Sequence, residues 1–533
     1  MKKQSTGRGF AYLSMAELLV KIMSVVYMPL LYRIIGKVGH GIYAVAYEAF
    51  TLIYVLTNEG IQRGVAKLVA ELYAEDNPRD ALKAFRLSRT ILILGGLFAS
   101  LLLYFMAPFI AVIAKSPQAA LSIQALAPTV LITAVLSAYR GYFLGRSFIT
   151  ANALSKIVEQ VVNVAVSLLG AFLLMKAGTA MGVAGGTLGT SVGALVSVLL
   201  LIHEFRKGKF HRVRKSEQSP EAYHHTSKEL LRKLWTYAFP ITLTAGLMHI
   251  GGIIDTFIVK NRLVVAGFFG DALDAVFSDL VVFKSLLVVP NTIIVSLAAV
   301  MLPGIASANA LKNQDDIDRK ASFATKMVLM ISIPAFVGMT VLAEPIFAFL
   351  YPESGGVHLL KYGSITVIFL GFIQIQNSLY QGIGKFYWGT IAMSFGIGAR
   401  ILINYLLVGI PEINVFGGIF SHFANFFIPF VINHYLLTRV LGFQMPILKN
   451  GWRPALSSLA MGVVLYLMTL MFKLVHLPFA HSALSTLIMV LAGIAVYGVA
   501  MILIGGITKK DVTDISPRLY RIIPSGLRRR MRP

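Results

Sequence analysis

Apolar runs of twenty or more residues recur along nearly the whole chain, separated by short polar loops. A bilayer's hydrocarbon core is about 30 Å thick, so a crossing helix needs roughly 20 such residues. That window selects about fourteen stretches, near 10–35, 40–62, 90–113, 120–144, 152–175, 181–205, 234–259, 276–302, 322–350, 359–383, 387–408, 414–438, 452–474 and 482–505. Only 14% of the 533 residues are charged and the mean hydropathy is +0.74, whereas about a quarter of a soluble domain is charged. The expectation is an all-α polytopic membrane protein with 14 transmembrane helices.

The formal charge of +24 would suggest nucleic acid in a soluble protein. Here the basic residues sit in short loops, and a cytoplasmic excess of Lys and Arg accounts for them. With both ends placed inside, roughly 37 Lys and Arg fall in inward segments, about 8 in outward loops and about 3 within spans. The expected orientation is N-in and C-in, across a bacterial plasma membrane. The start, "MKKQSTGRGF", is a basic flank on a span too long for a signal-peptide core, so the first helix is expected to be retained. No cysteine is present, which excludes disulfides and thiolate metal sites. His224 and His225, in a polar linker, have no partner ligands in the sequence, and no metal or cofactor is expected.

Three inward segments are substantial. Residues 65–90 alternate apolar and charged residues at helical spacing, like a helix lying in the interface. Residues 206–233 form a basic linker, and 509–533 a basic tail suited to an anionic leaflet. For all three, membrane-surface ballast that fixes topology is the plainer reading.

The sequence also repeats itself. Residues 65–93 run parallel to 302–331, each with an Ala-rich helix, an acidic turn and a basic lead into the next span. "YFLGRSFITANALSKIVEQVVNVAVSLLG" (142–170) lies beside "QGIGKFYWGTIAMSFGIGARILINYLLVG" (381–409), matching Gly145-Arg146 with Gly384-Lys385. "GVAGGTLGTS" (182–191) lies beside "NVFGGIFSHF" (414–423). The repeat divides the chain into an N-lobe (1–205, six spans), the linker (206–233), a C-lobe (234–440, six spans), two extra spans (441–508) and the tail (509–533). An even number of spans per copy makes the repeats parallel, an arrangement that usually rocks around a midplane site. Alternating access is therefore expected.

Ionisable residues at bilayer depth cost several kcal/mol by some scales, so they face a partner or a wet cavity. The first span carries Ser14, Glu17, Lys21 and Ser24 on one face. An internal Glu17–Lys21 pair and a cavity role are equally open. The second carries Glu48, Thr51, Glu59 and Gln62, the seventh His249 and Asp255, the eighth Lys284, the tenth Gln374, Asn377 and Gln381, and the eleventh Arg400 with Asn404. Taken singly, each is as compatible with a packing contact as with a ligand. Together they place fixed cations, Lys21, Lys284 and Arg400, between the lobes. In "SAYRGYFLGRSFITANALSKIVEQVVNV" (137–164), Arg140 and Arg146 are expected in an inward turn, fixing topology or forming a cytoplasmic gate. Asn152, Lys156, Glu159, Asn163 and Ser167 form a stripe expected to line the N-lobe side of the cavity. Gly185, Gly189 and Gly193 have the spacing of close helix packing. No GxxxxGK[ST] occurs, so an ATP motor is not expected.

The parallel repeats, the stretch "IIGKVGHGIYAVAYEAFTLIYVLTNEGIQRGVAKLVAE" (34–71) and the 137–164 hairpin resemble the multidrug/oligosaccharidyl-lipid/polysaccharide (MOP) flippase superfamily. The resemblance is to its polysaccharide-exporter branch, among stage V sporulation protein B and MurJ-like lipid II flippases. It implies movement of an undecaprenyl-pyrophosphate-linked precursor from inner to outer leaflet. It also implies a cationic cavity with arginines on the first, second and eighth spans, and a lipid-tail groove at the last two. Here those spans offer Lys21, Glu48 and Lys284, a departure from the family's pattern that Arg400 would offset.

The headgroup cavity is thus assigned to Lys21, Lys284, Arg400, Asn404, Gln374 and Asn377. Charge tuning or ion coupling is assigned to Glu17, Glu48, Glu159, Asp255, His249 and Asn163. Coupling to membrane potential, protons or sodium is open, and the expected partners are a polyprenyl-linked glycolipid and membrane lipids, with the protein monomeric. The alternative is a cation-coupled multidrug exporter, for which a carboxylate-rich cavity is the expected sign. An enzyme would want catalytic carboxylates in a sizeable outward loop, and the outward loops are short.

Overall fold

The computed structural model describes residues 6–213, 218–219, 223–474 and 483–507, and all regular structure among them is helical. The basic tail 509–533, part of the linker and the side chains of Ser14 and Glu59 lie outside the described residues. The helices are α1 (Thr6–Ala74), α2 (Pro78–Ile113), α3 (Ala119–Gly145), α4 (Ile149–Leu174), α5 (Thr179–Lys207), α6 (Ser227–Val265), α7 (Gly270–Ala310) and α8 (Gln314–Val341). They continue as α9 (Ala343–Leu350), α10 (Val357–Gly363), α11 (Thr366–Gly382), α12 (Phe386–Leu407), α13 (Gly417–Tyr435), α14 (Ile447–Leu474) and α15 (Ala483–Leu503). Among the described residues, eleven helices are long and apolar enough to cross a membrane, or twelve if the bent pair α10–α11 is one span. The protein is a multi-pass membrane protein.

Two of the longest helices bear on that count. At 69 residues, α1 would run about 100 Å at 1.5 Å per residue, over three times the hydrocarbon thickness. It is two helices joined at Gly36, whose φ of 71° and ψ of 179° lie where a side chain is strongly disfavoured. The 39-residue α6, which holds the expected seventh span, is outside the count of eleven. Its start is set by a capping box: the Thr226 hydroxyl accepts from the Glu229 amide and the Glu229 carboxylate accepts from the Thr226 amide.

The described residues form two compact units, 1–278 and 279–533, and the division falls inside α7. In the first unit, Val65, Leu68, Val69, Leu72, Leu82 and Phe85 share a buried core with Tyr139, Tyr142 and Phe205. The structure shows what residues 65–90 pack against. They are the end of α1 and the start of α2, with their apolar face packed on protein and a corner between them capped by Asn77. The linker's end is also held: His225 donates its backbone N–H to Asp80 at 2.7 Å, and Lys83 donates to the His225 carbonyl at 2.8 Å.

Left-handed residues at helix ends show the repeat. Asp76 and Lys312, Lys115 and Glu353, Ser147 and Gly384, and Gly178 and Asn414 all have positive φ, each pair 236 to 238 residues apart. Asn77 and Asn313, each following such a residue, cap α2 and α8 through the amides of Asp80 and Asp316. A non-glycine residue with positive φ is uncommon, so its recurrence at one spacing marks two copies of one design.

In the second unit, α14 packs against α8 through Met461 and Leu465, which share a cluster with Leu342 and Met489. The opposite face of α14 exposes Leu459, Val463, Tyr466 and Leu467.

Candidate functional site

Helix α4 organises the polar residues of the first unit. Close approach of α5 makes this possible: a Cβ on Gly185 would lie 2.3 Å from the Gly170 carbonyl oxygen, and one on Gly193 would lie 2.5 Å from that of Glu159. The glycine spacing in α5 therefore serves backbone contact with α4. One turn deeper, the Asn163 oxygen accepts from the Ser167 hydroxyl at 3.0 Å.

Arg140 lies inside α3, not in a surface turn. It is 7% exposed, and its guanidinium bonds the Glu159 carboxylate at 2.5 Å, Ser155 at 3.1 Å and Ser197 at 3.3 Å. It is enclosed by side chains of α4 and α5 rather than standing in the turn, since α3 runs on to Gly145 and places Arg140 more than a turn inside its end. Arg146 stands at that end, its guanidinium 4.5 Å from the Phe210 ring and 4.7 Å from that of Tyr73. Glu17 is paired with Lys156 of α4 at 2.8 Å, and Lys21 is exposed. The stripe thus divides: Lys156 meets α1, Glu159 meets α3, and Asn152 is buried.

Along the second half of α1, Tyr43, Tyr47, Phe50 and Tyr54 form a continuous ladder of ring contacts, with centroids 5.0 to 5.7 Å apart. Glu48 interrupts this run on another face. A Cβ on Gly252 would lie 2.4 Å from the Glu48 carboxylate, so the carboxylate sits directly on the α6 backbone. Asp255, one turn on, is buried, while His249 is exposed.

A deeply buried ion pair in the first unit was not among the sequence candidates. Lys260, with no exposure, donates to Asp274, which also accepts from the Ser116 hydroxyl at 2.9 Å. Nearby, His40 and Ser278 are hydrogen-bonded at 2.9 Å. The available signal was the pair of carboxylates Asp271 and Asp274 just across a short loop from a lysine that continues the helical run.

In the second unit, Arg400 and Asn404 are buried on α12, and Lys284 is half-buried on α7. Gln374 and Asn377 are half-buried on α11, the latter with its amide oxygen against Gly389. Buried amides that the sequence reading missed, Gln376, Asn425 and Asn433, accompany them. Gln376 donates to the Phe430 carbonyl at 3.3 Å. Among the described residues no group of His, Cys, Asp or Glu is arranged to hold a metal ion.

Comparison with known proteins agrees with this architecture. Residues 6–309 match the family described as polysaccharide biosynthesis protein. The chain is 21% identical to the lipid II flippase MurJ of Bacillus subtilis (strain 168), covering 83% of this chain and 84% of that protein. It is 23% identical to stage V sporulation protein B of the same organism, over 98% and 100% of the two chains. A solved structure of lipid II flippase MurJ in an inward closed conformation superposes with a TM-score of 0.66 at 18% identity, covering 92% of this chain and 97% of that one.

Proposed function

The chain belongs to the polysaccharide biosynthesis protein family, within the MOP flippase superfamily, and from that premise we propose that it flips an undecaprenyl-pyrophosphate-linked cell-wall or polysaccharide precursor from the inner to the outer leaflet. The observation that carries this reading is the near full-length match to relatives that include a lipid II flippase. The proposed topology has fourteen crossings, with α1 supplying two and α6 one, and both ends in the cytoplasm.

The chemistry agrees. A pyrophosphate-linked headgroup needs fixed cations to enter a low-dielectric span, and guanidinium and ammonium groups give charge-assisted hydrogen bonds to phosphate oxygens. Lys21, Lys284 and Arg400 are proposed to hold it, with Gln374, Asn377 and Asn404 contacting its polar groups. Glu48, Glu159 and Asp255 set the local charge or couple an ion. The bare apolar face of α14 is proposed to meet the polyprenyl tail.

Leaflet-specific labelling of the undecaprenyl-linked precursor after depletion of this protein tests the reading. The expected result is accumulation in the inner leaflet, rescued by the wild-type chain and not by the Lys21→Ala, Lys284→Ala or Arg400→Ala variants at equal membrane abundance. Full rescue by all three would refute the cationic site. The carboxylates within the spans favour the second reading, a cation-coupled multidrug exporter. An unchanged leaflet distribution with altered drug sensitivity would establish it.

A further inference from the structure

The start of α2 carries a basic face outside the proposed headgroup site. Arg79, Lys83 and Arg86 stand at i, i+4 and i+7 and so share one side of the helix. Chain leaving α5 crosses this side at His211 and Val213, and together they line an open pocket of about 400 Å³ whose apolar wall includes Leu82 and Leu87. No carboxylate among the described residues lines it.

Among the described residues, Lys83 and Arg86 are held by uncharged partners. Lys83 donates to the His225 carbonyl at 2.8 Å, and Arg86 reaches the His211 carbonyl at 3.5 Å. Both partners are uncharged backbone oxygens. The one carboxylate in this turn, Asp80, is occupied by the His225 amide and by the Asn77 side-chain amide at 3.0 Å. Arg79 and Arg86 are exposed. Three positive charges thus converge on a pocket within the size range of ligand sites, about 300 to 1,000 Å³.

Position narrows the ligand. The apolar run of α2 begins near residue 90, so at 1.5 Å per residue Arg86 lies about 6 Å and Arg79 about 16 Å before it. That is headgroup depth, on the side that the positive-inside asymmetry assigns to the cytoplasm. We propose that this pocket is a binding site for a phosphate-bearing anion carrying at least two negative charges, either the headgroup of an anionic phospholipid or a free polyphosphate. A singly charged group would leave two cations unmatched, whereas a diphosphate offers oxygens enough for both guanidinium groups and the ammonium. Occupancy ties the linker between the two repeats to the start of α2.

The test uses the full-length protein in nanodiscs of phosphatidylcholine, with and without cardiolipin, and with inorganic pyrophosphate added to the neutral discs. Native mass spectrometry reads lipid retained per protein, and isothermal titration reads pyrophosphate. Two triple variants are compared, each removing three charges. One is Arg79→Gln, Lys83→Gln and Arg86→Gln; the other, Arg206→Gln, Lys207→Gln and Arg212→Gln, leaves the lining untouched. Saturable binding of one anion is expected, weakened roughly a hundredfold or more by the first triple, which removes the charge-assisted hydrogen bonds of the lining, and less than about threefold by the second, whose more distant charges are screened at about 0.15 M salt. Cardiolipin retention without pyrophosphate binding identifies the lipid as the source; the reverse identifies a soluble phosphate. Equal losses in both triples, or no saturable binding of either probe, would overturn the site. Both triples alter groups outside the buried core, and a monodisperse elution profile confirms folding before binding is measured.

Discussion

The α3–α4 and α11–α12 hairpins are two versions of one design, and they spend their polar residues differently. Their helix bounds and turns fall in register when Ser147 is matched to Gly384, each the left-handed residue of its turn. Matching glycine-plus-cation pairs in the sequence gives a register two residues away. In the structural register, Arg140 corresponds to Asn377 and Glu159 to Gly396. The first hairpin is therefore braced by an ion pair at 2.5 Å. The second has an amide against Gly389, and α13 backbone so close that a Cβ on Gly396 would lie 2.4 Å from the Asn425 carbonyl oxygen. Likewise Asn163 and Ser167, bonded to each other, correspond to Arg400 and Asn404. Charge that serves packing in the first copy is absent from the same place in the second, and a cation appears one turn deeper.

Removing the brace gives the largest expected effect. Arg140→Ala leaves the Glu159 carboxylate, 25% exposed, without its guanidinium, and a loss of about 3 kcal/mol is expected, the low end for breaking a buried pair. Chemical unfolding of the purified protein in detergent measures it. Replacing both partners with apolar residues, Arg140→Met with Glu159→Leu, should recover stability to within about 1 kcal/mol. Ser155 and Ser197 keep their backbone acceptors at Asn152 and Ser155 in that variant. At the corresponding place in the second hairpin, Asn377→Ala removes only the packing of a half-buried amide against Gly389 and should cost about 1 kcal/mol, the typical loss for a single substitution. Equal losses at Arg140 and Asn377 would erase the distinction between the hairpins.

The next effect separates two glycines on α12. Gly396→Ala must push α12 and α13 apart and should cost about 1 to 3 kcal/mol, as overpacking does. Gly398→Ala meets nothing within 4 Å and should be neutral or stabilising by up to about 1 kcal/mol through helix propensity. Thermal unfolding of the two variants side by side reads the difference. Indistinguishable midpoints would mean that the α12–α13 approach is not needed for stability.

Much of this architecture is legible in the sequence because bilayer thickness sets helix length, and a close helix approach restricts residues to small ones. The apolar runs and the Gly185, Gly189 and Gly193 spacing carry that information directly. The left-handed turns carry it poorly: Ser147 and Gly384 share no residue type, so at the hairpin the register of the repeat is set by backbone angles, although the match of 65–93 with 302–331 already has it. Pairing is also hidden wherever it joins different helices. Glu17 and Lys21 satisfy the i, i+4 rule, yet Glu17 bonds Lys156, because helical spacing contains no information about the neighbouring helix. Lys260 lay at the edge of an expected outward loop, and the continuation of α6 to Val265 places it inside, facing Asp274.

The smallest expected effect tests whether burial decides what an ion pair in this unit contributes. Lys156 and Glu17 are 2.8 Å apart, with side-chain exposures of 27% and 49%, against 8% and 25% for Arg140 and Glu159. Water around the first pair reduces its attraction and solvates whichever partner remains after a substitution. Lys156→Ala should therefore cost less than about 1 kcal/mol, and the difference from wild type should shrink further as salt is raised. Arg140→Ala should retain most of its cost in the same salt series, because its partner stays largely enclosed. A Lys156→Ala loss as large as that of Arg140→Ala, and equally indifferent to salt, would mean that position along α4, rather than burial, governs both pairs.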